Sequence, residues 1–91
     1  MRKFVIERDI PGIGGADQKT MCEASKKSNG VLDSMGSDIH WVQSYVTGDK
    51  IYCIYLAKDE SYIRKHAEIS GFPANRISEV KRIIDPTTAR G

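Results

Sequence analysis

Apolar and polar residues follow two patterns along this sequence, one typical of strands and one typical of helices. A period of two, which places every second side chain on one face, predicts a strand. Apolar residues three and four positions apart predict a helix that buries one stripe. The two patterns alternate and predict six elements in the order β, α, β, β, α, β, at residues 3–10, 17–35, 39–46, 51–56, 59–70 and 77–84.

The helix ends carry recognisable capping residues. Asp17 and Asp59 are predicted N-caps, because a carboxylate there can accept a hydrogen bond from a free backbone N–H group. Gly36 is the predicted end of the first helix, and the Gly-Phe-Pro stretch at 71–73 that of the second. The inner stripe of the second helix is predicted to contain Tyr62, Ile63, His66, Ala67 and Ser70.

The two middle strands are predicted to form a hairpin around a Gly48-Asp49 turn. This turn predicts that Ser44 faces Cys53 and that Val42 faces Tyr55. One face would then carry His40, Val42, Ser44, Val46, Ile51, Cys53 and Tyr55, and the other Trp41, Gln43, Tyr45, Tyr52, Ile54 and Leu56. Neither set is plainly a solvent face, so we expect both sides of the sheet to be covered.

The order of elements is that of a ferredoxin-like sandwich, an α+β fold. Its four-stranded antiparallel sheet has both helices on one face. We expect residues 1–91 to form a single domain, with a loose tail from about residue 86. Because the helices leave one sheet face bare, a second copy of the chain is the simplest cover, and a homodimer is predicted.

Composition narrows the class of partner. The chain has 91 residues, and 14 Lys and Arg against 12 Asp and Glu give a net charge of only +2. So small an excess gives little support to a nucleic-acid or membrane partner. The two cysteines lack the spacing of a disulfide framework or zinc motif, and the N-terminal residues lack the apolar core of a signal peptide. We therefore expect a cytoplasmic protein.

Histidines among carboxylates and phenols are the candidate chemistry. The chain has two histidines, His40 and His66. Oxygen donors such as Glu7, Tyr52 and Tyr55 occur on the predicted strands. Imidazole and carboxylate ligands together suit nickel, zinc or copper. A histidine on the inner stripe of a helix is, however, more often a core residue with one hydrogen bond.

Other chemistry has weaker support. The turn at 11–15 is rich in glycine but lacks the pattern of a phosphate-binding loop, so we interpret it as a flexible turn. Cys53 is mid-strand, where a cysteine is most often a small apolar residue. The sequence contains no recognisable catalytic constellation. The strand aromatics could stack on RNA bases, but only Lys50 and Lys58 are near them.

Several stretches resemble a family of small bacterial proteins, first catalogued as a domain of unknown function and later associated with nickel binding. The stretches are FVIER at 4–8, WVQSYVT at 41–47, DKIYC at 49–53, His66, GFPA at 71–74 and IDP at 84–86. The resemblance implies a ferredoxin-like fold, a homodimer, and nickel held at or near the dimer interface by nitrogen and oxygen ligands. The candidate ligands at matching positions are Glu7, Tyr45, Tyr52, Cys53, Tyr55 and His66, with His66 first, and His40 is added as the second histidine.

Two functions from different classes follow. The first is a metal-binding protein without catalytic turnover, a nickel buffer or sensor that acts as a homodimer. The second is a dimeric α+β barrel that binds a small molecule, or a cofactor-free enzyme of the monooxygenase or isomerase type, whose stacked sheets enclose an apolar pocket. An enclosed cavity between the sheets would favour the second, and side chains closing around an ion would favour the first.

Overall fold

A four-stranded antiparallel sheet carries two helices on one of its faces. The computed structural model describes residues 1–91. In chain order the elements are β1 (Arg2–Asp9), α1 (Gln18–Met35), β2 (Ile39–Val46), β3 (Lys50–Ala57), α2 (Glu60–Ser70) and β4 (Arg76–Glu79). The strand order is β2-β3-β1-β4, which is that of the ferredoxin-like fold and confirms the predicted class. Neither helix is long and apolar enough to cross a membrane.

The predicted helix caps are confirmed. The Asp17 carboxylate accepts a 2.8 Å hydrogen bond from the Thr20 N–H, and this bond lowers the pKa of Asp17. Asp59 caps α2 in the same way through the N–H of Ser61. Gly36 (φ 83°) and Gly71 (φ 79°) end the two helices in backbone conformations that a side chain would strain.

The core lies between the helices and one face of the sheet. Its buried apolar residues are Phe4, Ile6, Ile39, Cys53, Tyr55, Ala57 and Ile63. Along β1 the buried positions alternate with partly exposed ones, so every second residue faces the helices. We call the opposite side of the sheet, which no helix covers, the open face.

The predicted register of the β2–β3 hairpin is correct only near the turn. Ser44 faces Cys53 as predicted, but a β-bulge between Trp41 and Gln43 places Trp41, not Val42, opposite Tyr55. The prediction for Val42 is therefore wrong, because a bulge adds one residue and reverses the faces of all residues beyond it. The indole N–H of Trp41 donates a 2.9 Å hydrogen bond to the Ser44 hydroxyl on the helix side.

The bulge also moves His40. It pairs with Leu56, whereas Gln43 pairs with Ile54. Leu56 and Ile54 share the open face, since both alternate with the buried residues of β3. His40 and Gln43 therefore lie on the same face, and the predicted face shared by His40 and Cys53 is wrong.

The last strand is shorter than the predicted segment 77–84. It ends at Glu79, and the Val80 N–H donates one further bond to the Lys3 carbonyl. The predicted strand was too long because, beyond Glu79, only the N-terminal residues of β1 remain as pairing partners. Ile83 and Ile84 are each 70% exposed. The segment expected to be a loose tail contains a short 3-10 helix, Pro86–Arg90, whose residues are all exposed.

The glycine-rich turn after β1 packs against the β2–β3 loop. The Gly14 N–H donates a 3.0 Å hydrogen bond to the Gly48 carbonyl. The Gly12 N–H donates to the Asp49 carboxylate at 2.9 Å. The turn therefore ties the end of β1 to the hairpin.

Gly14→Ala should destabilise the protein. A Cβ at Gly14 would lie 2.7 Å from the Thr47 carbonyl oxygen and 2.9 Å from the Gly48 Cα, both backbone atoms. We expect a loss of about 1–3 kcal/mol in the free energy of unfolding, measured by urea denaturation. Gly15→Ala is the matched control, because a Cβ there meets nothing within 4 Å. Equal losses in the two variants would contradict this account.

Candidate functional site

Four polar side chains are buried in a core that is otherwise apolar. Arg8, Ser28, His66 and Ser70 are only 3%, 5%, 1% and 1% exposed. They come from β1, α1 and α2, so the packing of both helices on the sheet brings them into one layer. Buried polar groups need partners, because desolvation without a hydrogen bond is costly. This layer is therefore a candidate functional site.

His66 is held as a neutral imidazole. Its Nε2 lies 3.2 Å from the Ser28 hydroxyl oxygen, and its Nδ1 has no hydrogen-bond partner. The Tyr55 ring is 5.5 Å away between centroids. Burial lowers the pKa of His66, and the positive charge of Arg8 lowers it further. At neutral pH this histidine therefore carries no charge.

Arg8 lies in the same layer without an acidic partner. Its Nε donates to the Cys53 Sγ at 3.3 Å, and one terminal nitrogen donates to the Pro73 carbonyl at 2.8 Å. The guanidinium carbon is 5.9 Å from the centre of the Phe72 ring. Burial raises the pKa of Tyr55, so this neighbouring phenol keeps its proton. The layer thus contains one fixed positive charge and neutral groups.

A pocket opens beside this layer, between α1 and the sheet. Its volume is about 80 Å³, which is room for a few water molecules or a small ligand. It combines an apolar wall with hydroxyl groups and the guanidinium of Arg8. The lining residues are Arg8, Met21, Ala24, Ser25, Ser28, Trp41, Ser44, Cys53, Tyr55 and Phe72.

The candidate metal ligands fall into two groups on opposite sides of the sheet. Cys53 and Tyr55 face the helices, where α2 adds His66. The other candidates lie on the open face: Glu7, His40, Tyr45 and Tyr52. Glu7 forms an ion pair with Lys50 at 3.0 Å, and His40 is exposed. The ligand set as a whole stays a prediction.

Even on the open face, the imidazole of His40 is far from the carboxylate of Glu7 within one chain. Glu7 pairs with Tyr52 and His40 with Leu56, four residues further along β3. At about 3.4 Å per residue, the positions of Glu7 and His40 are separated by about 14 Å along the strand direction. The chain contains no group of three His, Cys, Asp or Glu side chains arranged to hold a metal ion.

The two groups differ in how well they suit nickel. The orphan Nδ1 of His66 is a nitrogen donor, but no carboxylate accompanies it and the charge of Arg8 would repel a cation. The open face has the right donor types, an exposed imidazole and a carboxylate, yet keeps them apart. Within one chain, neither group of candidate ligands therefore brings an imidazole and a carboxylate together.

Arg8 was absent from the candidate residues, although the sequence carries a signal for it. Phe4 and Ile6 precede it at a period of two, so position 8 falls on the buried face of β1. A charged residue in such a series indicates a candidate functional residue, because an arginine is rarely buried without a partner.

The fold and the site define a small ferredoxin-like α+β protein with a polar layer in its core and one bare sheet face. The sequence model of the nickel responsive protein SCO4226-like family matches residues 4–80. The chain belongs to this family. The crystal structure of SCO4226 from Streptomyces coelicolor A3(2) superposes with a TM-score of 0.75 at 19% identity, covering 90% of this chain and 99% of that one. A search of curated proteins found no significant match.

His66 should make the protein less stable in mild acid. Its pKa is lowered in the folded state, so the unfolded chain takes up the proton first, near pH 6.5. The His66 contribution is constant above that pH and is lost as the pH falls below it, at up to about 1.4 kcal/mol per pH unit. Urea unfolding between pH 7 and 5 should show a shallower decline for His66→Gln than for wild type. His40→Gln is the exposed control, and an unchanged slope in His66→Gln would refute the assignment.

Proposed function

We propose that this chain binds nickel as a homodimer and acts as a nickel buffer or sensor, with a second copy covering the open face. The observation that carries the proposal is the open face itself, where metal-binding donors lie at both ends of an apolar surface that no helix covers. The two free cysteines, Cys22 and Cys53, fit a reducing cytoplasm.

An apolar surface runs across the middle of the open face. Val5 pairs with Ile54 there, beside Leu56 and Tyr52, and all four are only partly buried. Tyr45 on the neighbouring strand is 55% exposed. Since only 11 of 91 residues are buried in the single chain, covering this face would add substantially to its core. A second copy of the same sheet is apolar in the same places.

A twofold arrangement could also bring the donors together. His40 lies at one end of the open face, and Glu7 with Tyr52 lies at the other. If the open faces of two copies stack with their strands antiparallel, the end that carries His40 in one copy lies over the end that carries Glu7 in the other. Imidazole and carboxylate oxygen are ligand types that nickel accepts. The dimer would then supply what one chain lacks.

Membership of a nickel responsive family supports nickel as the metal. The likeness to SCO4226 supports the fold alone. The alternative, an α+β barrel, needs a cavity between stacked sheets, whereas the 80 Å³ pocket lies on the helix side of this sheet. The pocket therefore does not favour the barrel.

His40→Ala should weaken nickel binding by about tenfold or more, because it removes the exposed imidazole from the proposed site. The measurement is isothermal titration of the untagged protein with nickel. His66→Gln is the matched control, since it removes the buried histidine and should leave the affinity within about twofold.

The opposite result would overturn the choice of face. If His66→Gln loses nickel and His40→Ala keeps it, the ligands lie on the helix side around His66. If the wild-type protein takes up no nickel, the proposed function fails whichever histidine is considered.

A further inference from the structure

The guanidinium of Arg8 is a buried charge without a counter-ion. The side chain is 3% exposed, and an arginine keeps its charge even when buried. The chain forms four ion pairs, and none of them includes Arg8. Its partners are a thiol and a backbone carbonyl, both neutral acceptors. A buried charge normally has an ionic partner, so the absence of one here needs an explanation.

The acidic neighbours of Arg8 in the sequence cannot serve it. Glu7 and Asp9 flank it on β1 and therefore point to the other face of the sheet. There they contact the Lys50 ammonium at 3.0 Å and 3.5 Å. The alternation of the strand thus separates one positive charge from two negative ones, although all three residues are consecutive.

The pocket beside Arg8 has the features of an anion site. None of its lining residues is acidic, and Ser25, Ser28, Ser44 and Tyr55 bring hydroxyl groups to it. A second positive charge lies close by, because the Lys27 ammonium is 5.5 Å from the centre of the Phe72 ring. The pocket is open to solvent on one side, so a small solute can enter.

The other walls of the pocket are apolar. Trp41, Met21 and Phe72 line it together with Ala24. An inorganic anion would leave these surfaces unused, whereas the short alkyl chain of an organic acid would contact them. The volume of about 80 Å³ is enough for a ligand of a few carbon atoms.

We propose that the pocket between α1 and the sheet binds a small organic carboxylate, whose carboxyl group pairs with Arg8 and whose alkyl group packs on Trp41 and Phe72. This site is separate from the proposed nickel site, because it lies on the helix side of the sheet. The ligand would complete the buried polar layer by supplying its missing negative charge.

The test is a titration of the full chain with butyrate at constant ionic strength, with chloride as the balancing anion. The fluorescence of Trp41, the only tryptophan, and the amide signals of Ser25 and Ser28 report on the pocket. We expect saturable changes in the millimolar range and a rise in melting temperature. Butyramide, which has the same shape without the charge, should bind at least about tenfold more weakly.

A variant pair isolates the guanidinium. Arg8→Met keeps an unbranched chain of similar length and should lose the response to butyrate, while its own melting temperature stays the same or rises. Lys26→Met removes one positive charge from an exposed position of α1 and should respond like wild type.

Several outcomes would overturn the proposal. A wild type that shows no response to butyrate up to about 100 mM rejects a carboxylate site. A response no larger than that to chloride or butyramide rejects it as well. An unchanged response in folded Arg8→Met rejects the role of Arg8. If Arg8→Met does not fold, the comparison of butyrate with butyramide on the wild type decides alone. None of these results depends on whether nickel binds.

Discussion

Strand β1 lies between β3 and β4, and its position determines what each side of the molecule contains. Because neighbouring residues of a paired strand point to opposite faces, Phe4, Ile6 and Arg8 must enter the layer beneath the helices. Glu7 and Asp9 must then lie on the open face. One strand therefore delivers apolar side chains and a positive charge to the core, and carboxylates to the surface that we propose as the dimer interface.

The core beneath the helices is consequently unusual in its electrostatics. A histidine and an arginine share it, and no carboxylate balances them. The neutral state of His66 follows from this arrangement, since burial and the charge of Arg8 both lower its pKa. The same field makes the helix side unfavourable for a metal cation and favourable for an anion. The two sites that we propose, on opposite faces of one sheet, would thus take ligands of opposite charge.

The sequence was sufficient for features that depend on local chemistry. The N-caps Asp17 and Asp59 and the buried stripe of α2 follow from short-range patterns, and the structure confirms them. The bulge between Trp41 and Gln43 could not be predicted, because the turn specifies the register only near itself. The end of β4 depended on how much of β1 remained to pair. For the candidate ligands, the pattern indicated suitable residue types but could not show that the sheet divides them.

Native mass spectrometry of the untagged protein titrated with nickel tests the central claim most directly. Wild type should be a dimer that takes up a fixed number of ions. Ile54→Asp, which places a charge in the middle of the open face, should be a folded monomer without bound nickel. Ile69→Asp makes the same change at a 52% exposed position on α2 and should behave like wild type. A wild-type monomer, a dimer that takes up no nickel, or an Ile54→Asp monomer that binds nickel as well as wild type would contradict the account.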